Sequence, residues 1–264
     1  MKSVVHIFLS LLVLGVFTSF SGSPSVNDTA LTIVIDAGHG GRDPGSISKN
    51  VQEKTITLDI AKKLGKLFAD NMKDVKVVYT RDSDKSVELR ERPEIANRNK
   101  ADIFISIHCN HNGNSSAHGS ETYVMGLHKS EGNLDVAKRE NSAILYEEDY
   151  EKKEEYEGFD PNSPEAHIIF SFYQNAFLDQ SLHLAASIEG KLSERKKVKR
   201  SRGVKQAGFL VLWKTAMPSV LVETGFISNA TERAYLSSES GKKEVAQAIY
   251  DAVKEYKVYL ETIK

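Results

Sequence analysis

Short apolar runs alternate with longer amphipathic segments along most of this chain. Apolar and β-branched runs predict strands at residues 31–35, 75–79, 102–108, 120–125 and 219–223. Apolar positions at helical spacing predict helices at residues 55–68, 86–99, 182–192 and 242–260, with Ser86 as the cap of the second helix. Strands that alternate with helices are typical of α/β proteins. The pattern therefore predicts an α/β layered fold with a largely parallel or mixed sheet.

One long polar region interrupts this alternation. Residues 127–180 contain few strand signals, and we interpret them as an inserted helical segment over the sheet. Its central part, 139–157, is strongly acidic, and apolar residues recur there at helical spacing. Gly158 and Pro161 are typical of a helix end. A mostly basic stretch follows at residues 191–205.

The first residues differ from the rest of the chain. One basic residue, Lys2, precedes an apolar run over 4–20 that ends in small residues, which is typical of a secretory signal peptide. We therefore expect a cleaved signal at 1–23, a linker at 24–30 and a folded domain at 31–264. An uncleaved membrane anchor is the alternative. A cleaved signal predicts export across the cytoplasmic membrane to the periplasm or the cell wall, with no stable membrane span.

The amino-acid composition indicates an ordinary globular protein. Of 264 residues, 40% are hydrophobic and 27% are charged, which is typical of a soluble globular protein. The formal net charge of −1 gives no reason to expect a nucleic-acid partner. Cys109 is the single cysteine, so an internal disulfide is excluded, and no cysteine follows the apolar N-terminal run to carry a lipid anchor.

Four acidic or imidazole side chains stand at the ends of predicted elements. His39, His108 and Glu223 each come at or just after the end of a predicted strand, and Glu53 comes near the start of the first helix. Because ligands of open α/β sheets bind beyond the carboxyl ends of the strands, we expect these side chains to converge. Two histidines and one carboxylate around an open position suit a catalytic zinc ion, and a further carboxylate suits a general base. The sequence therefore predicts one zinc site at this edge.

Other side chains near His108 are rival ligands. They include His111, His118 and His128. We rank His111 below His108, because a strand end fixes a ligand better than a loop does. Cys109 adjoins His108, and adjacent strand residues point to opposite faces of a sheet. We therefore expect Cys109 to be a buried thiol and not a ligand.

Four separated segments carry a family resemblance. They are Asp36-Ala37-Gly38-His39-Gly40-Gly41 with Asp43-Pro44-Gly45, then Glu53, then Ser106-Ile107-His108-Cys109-Asn110 with Gly119-Ser120-Glu121-Thr122-Tyr123, and finally residues 218–229. Thr80-Arg81 and the stretch that contains Leu89, Arg92, Ala96 and Asn97 fit as well. Over residues 31–260, the chain resembles the zinc-dependent N-acetylmuramoyl-L-alanine amidases of the amidase-3 type, which are bacterial cell-wall hydrolases.

The resemblance implies a single α/β domain with a mixed, mostly parallel sheet flanked by helices. It implies that His39, Glu53 and His108 hold one zinc ion in this amidase domain and that Glu223 is the catalytic base. It implies peptidoglycan as the substrate, cut at the amide between the lactyl group of N-acetylmuramic acid and the L-alanine of the stem peptide. Asn110 and the glycines of the first segment are candidates for orienting this substrate. A zinc peptidase or amidase for another secreted substrate is the alternative. A non-catalytic wall-binding module would be expected to lack one of the four site residues, and none is missing.

The acidic insert has a counterpart in part of this family. Some of these amidases, similar to those used in cell division, carry a helix that covers the zinc cleft until an activator protein displaces it. Residues 139–157 occupy the matching place, so we hypothesise an autoinhibitory lid in which Glu147 or Glu148 reaches the zinc ion. A solvated surface helix is the alternative, since charge runs are usually solvated. The basic stretch at 191–205 is a candidate to pair with the insert or with anionic polymers of the wall or membrane.

Overall fold

The computed structural model describes residues 31–148, 176–198 and 200–262, together with residues 159, 160, 163, 165, 166 and 168. Its strands are β1 (Leu31–Ala37), β2 (Ile47–Ser48), β3 (Val51–Gln52), β4 (Val75–Tyr79), β5 (Ile103–Asn110), β6 (Ser120–Met125), β7 (Ser201–Ala207) and β8 (Ser219–Phe226). Its α-helices are α1 (Glu53–Asn71), α2 (Glu91–Arg98), α3 (Glu131–Asn141), α4 (Leu178–Ser193), α5 (Ala230–Ser237) and α6 (Glu239–Thr262). Short 3-10 helices span Ser142–Tyr146 and Leu210–Leu212. The predicted signal peptide and linker lie outside the described residues.

Six strands form one sheet in the order β4-β1-β5-β8-β6-β7, and β2 pairs with β3 in a separate hairpin. β6 runs antiparallel to β8, whereas the other neighbours in the large sheet are parallel. The predicted fold class, a mixed and mostly parallel sheet flanked by helices, is therefore confirmed. β1, β5 and β8 are buried along their whole length, because parallel strands in the centre of such a sheet are covered on both faces.

Helices cover both faces of the sheet. Alternate residues of a strand face opposite layers, so Ile33 packs in one core and Val34 in the other. α1, α4 and α6 pack on the first side, while α2, α3 and the 3-10 helix Leu210–Leu212 pack on the second. No helix within the described part of the chain is both long and apolar enough to cross a membrane.

The two strand residues of the predicted site face the layer that contains α3. His108 alternates in step with Phe104, and Glu223 with Leu221, and both of these apolar residues belong to the second core. The strand register places His108 directly opposite Glu223 on neighbouring strands. α3 therefore lies over the same face as the predicted site.

The observed elements agree with most of the predicted ones, with ends shifted by a few residues. The helix predicted at 86–99 begins at Glu91, and Ser86 does not cap it. The Ser86 hydroxyl instead accepts a hydrogen bond from the Arg42 amide at 3.1 Å. The pattern misses the β2–β3 hairpin, α5 and β7. β7 is an edge strand with polar and charged residues, so it lacks the apolar run that marks the central strands.

The helix of the inserted segment begins earlier than the acidic run at 139–157 predicts. α3 starts at Glu131, where the side chain of Ser130 accepts a hydrogen bond from the Asn133 amide and caps the helix. Its buried residues recur at helical spacing and include Val136 and Ala137, which pack in the second core. α3 ends at Asn141, and residues 149–158 of the predicted helix lie outside the described residues.

Candidate metal centre

His39 follows β1 in a tight loop. It adopts a left-handed backbone conformation, with φ of 62°, which is uncommon for a residue other than glycine and often marks a functional site. Its Nδ1 lies 2.7 Å from Asp43 Oδ2. This contact fixes the ring, because Nδ1 then carries the proton and Nε2 faces the interior with its lone pair.

Two buried arginines hold the backbone of this loop. Arg81 donates to the carbonyl oxygens of Ala37 and Gly38, each at 2.8 Å. Arg92 donates to the carbonyl of His39 at 2.9 Å and to Asp36 Oδ1 at 2.8 Å. Burial raises the pKa of Asp36, but Arg92 and two hydroxyl donors outweigh burial, so the net pKa lies below its ordinary value. The loop conformation therefore rests on ionised side chains that the sheet buries.

His108 lies near the end of β5 and packs against Gly38, the first glycine of the loop. A Cβ atom at Gly38 would lie 2.5 Å from His108 Nε2. Real Cβ atoms essentially never approach a neighbour so closely, so a side chain at Gly38 would displace the His108 ring. The glycine of the first motif thus sets the position of the second histidine.

Glu53 is the first residue of α1 and is fully buried. Its Oε2 accepts a hydrogen bond from the Ser46 amide at 2.9 Å, and its Oε1 accepts one from the Cys109 amide at 2.8 Å. Oε1 also lies 3.2 Å from both His39 Nε2 and His108 Nδ1. Backbone donors therefore orient this carboxylate toward the two histidines.

A fourth side chain, Glu140 of α3, completes the cluster. Its Oε2 lies 3.2 Å from His39 Nε2 and 2.9 Å from His108 Nδ1. One ligand atom each from His39, Glu53, His108 and Glu140 lies within 4.8 Å of the others, and all four residues are buried. The structure thus brings together the three predicted ligands and adds one from the insert.

The prediction that Glu147 or Glu148 of the insert reaches the metal site is wrong. Glu147 accepts a hydrogen bond from the Leu89 amide at 2.7 Å, and Glu148 pairs with Arg42 at 2.7 Å, so neither joins the cluster. Glu140 takes that place, because it shares the buried stripe of α3 with the apolar residues before it. A carboxylate on an apolar helical stripe is the sequence signal that could have found it.

The four side chains fit a divalent cation. Among the described residues, His39 Nε2, His108 Nδ1 and Glu140 Oε2 are buried without a hydrogen-bond partner, since their short contacts lack hydrogen-bond geometry. Burial lowers the pKa of both histidines, but Glu53 beside His39 and Glu140 beside His108 outweigh burial. The pKa of His39 lies well above its ordinary value, and that of His108 is raised to about 9. The pocket therefore favours positive charge at its centre, and its donors are those that zinc prefers.

Glu223, the predicted base, lies beside the cluster on β8. It is fully buried, and its Oε1 accepts a hydrogen bond from Arg139 at 3.2 Å. Burial, and next the carboxylate of Glu140, raise the pKa of Glu223 well above its ordinary value. A carboxylate whose pKa moves toward neutrality can accept and return a proton, as a general base must.

Arg139 links Glu140 to the groups around Glu223. Its Nε donates to Glu140 Oε1 at 2.9 Å. Its Nη2 also donates to Asn110 Oδ1 at 3.1 Å, and its Nη1 donates to the His111 carbonyl at 2.9 Å. Two consecutive residues of α3 therefore occupy both halves of the site, the histidine cluster and the base.

The rival ligands lie elsewhere. His111 is half-buried outside the cluster, His118 is exposed with its Nδ1 2.8 Å from the Ser116 carbonyl, and His128 does not join. Cys109 is buried, which confirms its prediction as a buried thiol.

The fold and the site together define an α/β protein with a candidate metal centre at the carboxyl edge of a mixed sheet. The profile of the N-acetylmuramoyl-L-alanine amidase family, Amidase_3, matches residues 33–255. The chain therefore belongs to this family.

Individual relatives agree with the family. The chain is 30% identical over 232 residues to the N-acetylmuramoyl-L-alanine amidase AmiC of Escherichia coli O6:H1, a match covering 87% of this chain and 53% of the relative. The chain thus spans about half the length of that protein. The crystal structure of an N-acetylmuramoyl-L-alanine amidase from Clostridium difficile 630 is 29% identical, with a TM-score of 0.64 over 86% of this chain and 97% of that one. The CwlD amidase of Clostridioides difficile, solved with the GerS lipoprotein, is 26% identical, with a TM-score of 0.61 over 86% and 98%.

Replacing His108 by alanine is expected to remove stoichiometric zinc binding. The loss should exceed the roughly 10–100-fold drop in metal affinity that follows loss of an outer-shell partner. Zinc retained after dialysis, measured by plasma mass spectrometry, provides the test, and His111→Ala is the matched control that should keep its ion. Equal zinc in the two variants would contradict the assignment of His108 as a ligand.

Proposed function

We propose that the protein is a zinc-dependent N-acetylmuramoyl-L-alanine amidase. It hydrolyses the amide between the lactyl group of N-acetylmuramic acid and the L-alanine of the peptidoglycan stem peptide. One observation carries this proposal: three buried ligand side chains converge at the sheet edge with Glu223 in register beside His108. Membership of the amidase family supports the choice of substrate. We place the protein outside the cytoplasmic membrane, where this substrate lies.

His39, Glu53 and His108 would hold the zinc ion, with Glu223 as the catalytic base. When bound, zinc polarises an amide carbonyl and lowers the pKa of a water molecule. Glu223 takes a proton from the attacking water and returns it to the leaving nitrogen. Its raised pKa suits both steps, because the proton must be taken up and given back in one turnover.

We propose further that α3 is an autoinhibitory lid. Glu140 fills the open side of the cluster, and Arg139 covers the base. The cavity that reaches His39 and His108 has a volume of about 280 Å³. Glu223 does not line this cavity, and Arg139 of α3 donates a hydrogen bond to the Glu223 carboxylate. These contacts favour a lid over a solvated surface helix.

A closed lid implies a partner that moves it. The CwlD relative was solved with a lipoprotein, which supports a protein partner for this chain as well. We propose an activator protein that binds the insert and withdraws Arg139 and Glu140 from the site. The described cations of the basic stretch do not pair with the described part of the insert. Lys191 of this stretch contacts Glu255 at 2.6 Å, and Lys205 contacts Glu121 at 2.6 Å.

Digestion of purified peptidoglycan tests the activity. We expect release of stem peptides that begin with a free alanine amine, identified by mass spectrometry after labelling of new amino termini. New amino termini at another residue would point instead to a peptidase, and new reducing ends to a glycosidase. Zinc-loaded protein that releases no such peptides, even with the insert displaced, would overturn the proposal.

A further inference from the structure

Two cationic side chains of β7, Arg202 and Lys205, bind the buried carboxylate of Glu121 beside the candidate site. Glu121 of β6 accepts hydrogen bonds from Arg202 Nε, from Lys205 Nζ at 2.6 Å, from the Tyr123 hydroxyl at 2.7 Å and from Asn110 Nδ2 at 2.9 Å. Burial raises the pKa of Glu121, but Lys205 and the other donors outweigh burial, so its net pKa is lowered. An ionised Glu121 balances only one of the two cations, which leaves one positive charge in excess.

The guanidinium of Arg202 is held at one end and free at the other. Glu121 binds its Nε, and the Phe226 ring lies beneath it with the guanidinium carbon 5.3 Å from the ring centroid. No described residue accepts a hydrogen bond from its two Nη groups, and the side chain is 33% exposed. A fixed fork with two unused donors has the geometry that pairs with a carboxylate through two parallel hydrogen bonds.

This fork is on β7, two strands from the candidate base on β8, and Glu121 of β6 lies between them. Glu121 is directly opposite Glu223 in the antiparallel pair of β6 and β8, so their Cα atoms are roughly 5 Å apart. Asn110 also bonds to Glu121 through Nδ2, and this leaves its Oδ1 facing the place that Arg139 occupies. Two strand spacings are roughly 10 Å, so a substrate group bound at Arg202 is about two or three extended residues along the chain from an amide at Glu223.

We propose that Arg202, with Lys205 and fixed by Glu121, is a subsite for a carboxylate of the substrate peptide. The inference rests on the proposed function. In a muramoyl peptide the lactyl carboxyl is consumed by the scissile amide, so the carboxylates of the substrate belong to the peptide. The subsite thus places the peptide across β6 and β7, on the face that α3 covers, and selects for peptides with an acidic group near the scissile amide.

A pair of small ligands tests the subsite. N-acetylmuramoyl-L-alanyl-alanine has one carboxylate at its C-terminus, and its C-terminal amide differs only in that charge. Binding of both is measured by calorimetry on the zinc-loaded full chain carrying Glu223→Gln, to prevent turnover, and Glu140→Ala, to free the cluster. We expect the carboxylate to bind roughly tenfold more tightly than the amide, since a hydrogen bond to a charged group is worth about one power of ten.

Three substitutions at the basic edge separate charge from geometry. Arg202→Gln should abolish the preference for the carboxylate, and Arg202→Lys should retain part of it, because lysine keeps the charge without the fork. Arg200→Gln is the matched control, since Arg200 is an exposed neighbour that contacts His118 and not Glu121. It should leave the preference unchanged.

The outcomes distinguish this subsite from the proposed function. Equal affinity for the two ligands, no detectable binding of either, or a preference that survives Arg202→Gln would overturn the subsite. If Arg202→Gln removes the preference, the subsite stands. If the protein with intact Glu223 and a displaced insert then releases no alanine-ended peptide, the proposed amidase activity is overturned and the subsite is not.

Discussion

Replacing Glu223 by glutamine is expected to lower the rate of amide hydrolysis by roughly 10²–10⁴-fold, the contribution typical of a general base. Glutamine fills the same buried volume but accepts no proton. The zinc content should not change, because Glu223 is not in the four-residue cluster. The measurement is the initial rate of alanine-ended peptide release, with zinc content determined on the same samples.

Glu148→Gln is a suitable control for this experiment. Glu148 is an exposed acid of the insert, and within the described part of the chain it pairs only with Arg42, at 2.7 Å. Its loss should therefore leave hydrolysis within about twofold of the parent rate. Near-parental hydrolysis by Glu223→Gln would show that another group takes the proton. Loss of zinc together with activity would instead assign Glu223 to the metal.

Replacing Glu140 by alanine is expected to raise the rate of hydrolysis without an activator, by at least about tenfold. Glu140 is the one side chain of α3 within the cluster, so its removal should weaken the proposed closed state and leave the other predicted ligands in place. The apparent activity of a protein with a rarely populated open state rises in proportion to that population. Peptide release from peptidoglycan, with no other protein added, measures the effect.

A second variant separates the two contacts of the lid. Arg139→Ala removes the ion pair with Glu223 but keeps Glu140, so we expect a smaller gain in activity than for Glu140→Ala. Glu131→Ala, an exposed change in the first turn of the same helix, is the control for helix stability. Hydrogen exchange of the α3 amides should accelerate in parallel with activity. If Glu140→Ala shows faster exchange and no gain in activity, α3 is not what limits the enzyme.

Much of the candidate site could be predicted from the chain alone because its residues stand where strands end. His39 and His108 follow the apolar runs of β1 and β5, and Glu223 lies within β8. Parallel strands bring their carboxyl ends to one edge, so position in the sequence implies position in the fold. The same logic could not find Glu140, which belongs to no strand.

The role of Glu140 depends on how α3 packs. The cap at Ser130 sets where the helix starts, and the burial of Val136 and Ala137 sets which face turns toward the sheet. α3 ends at Asn141, so Glu147 and Glu148 lie beyond the helix, whereas Glu140 lies in its last turn. For this reason the sequence indicated an acidic lid but named Glu147 and Glu148.

The hydrophobic pattern of this protein determined its α/β class, its central strands and the edge at which the three predicted ligands and the predicted base converge, because burial on both faces leaves a continuous apolar run in the sequence. Tertiary structure alone decided which insert carboxylate enters the cluster and which cations meet Glu121. Those contacts join residues far apart in sequence, such as Glu121 and Arg202. Arg202 lies on the edge strand β7, which is mostly polar and so has no apolar run to mark it in the sequence. Their partners follow from strand order and register, which no local pattern specifies.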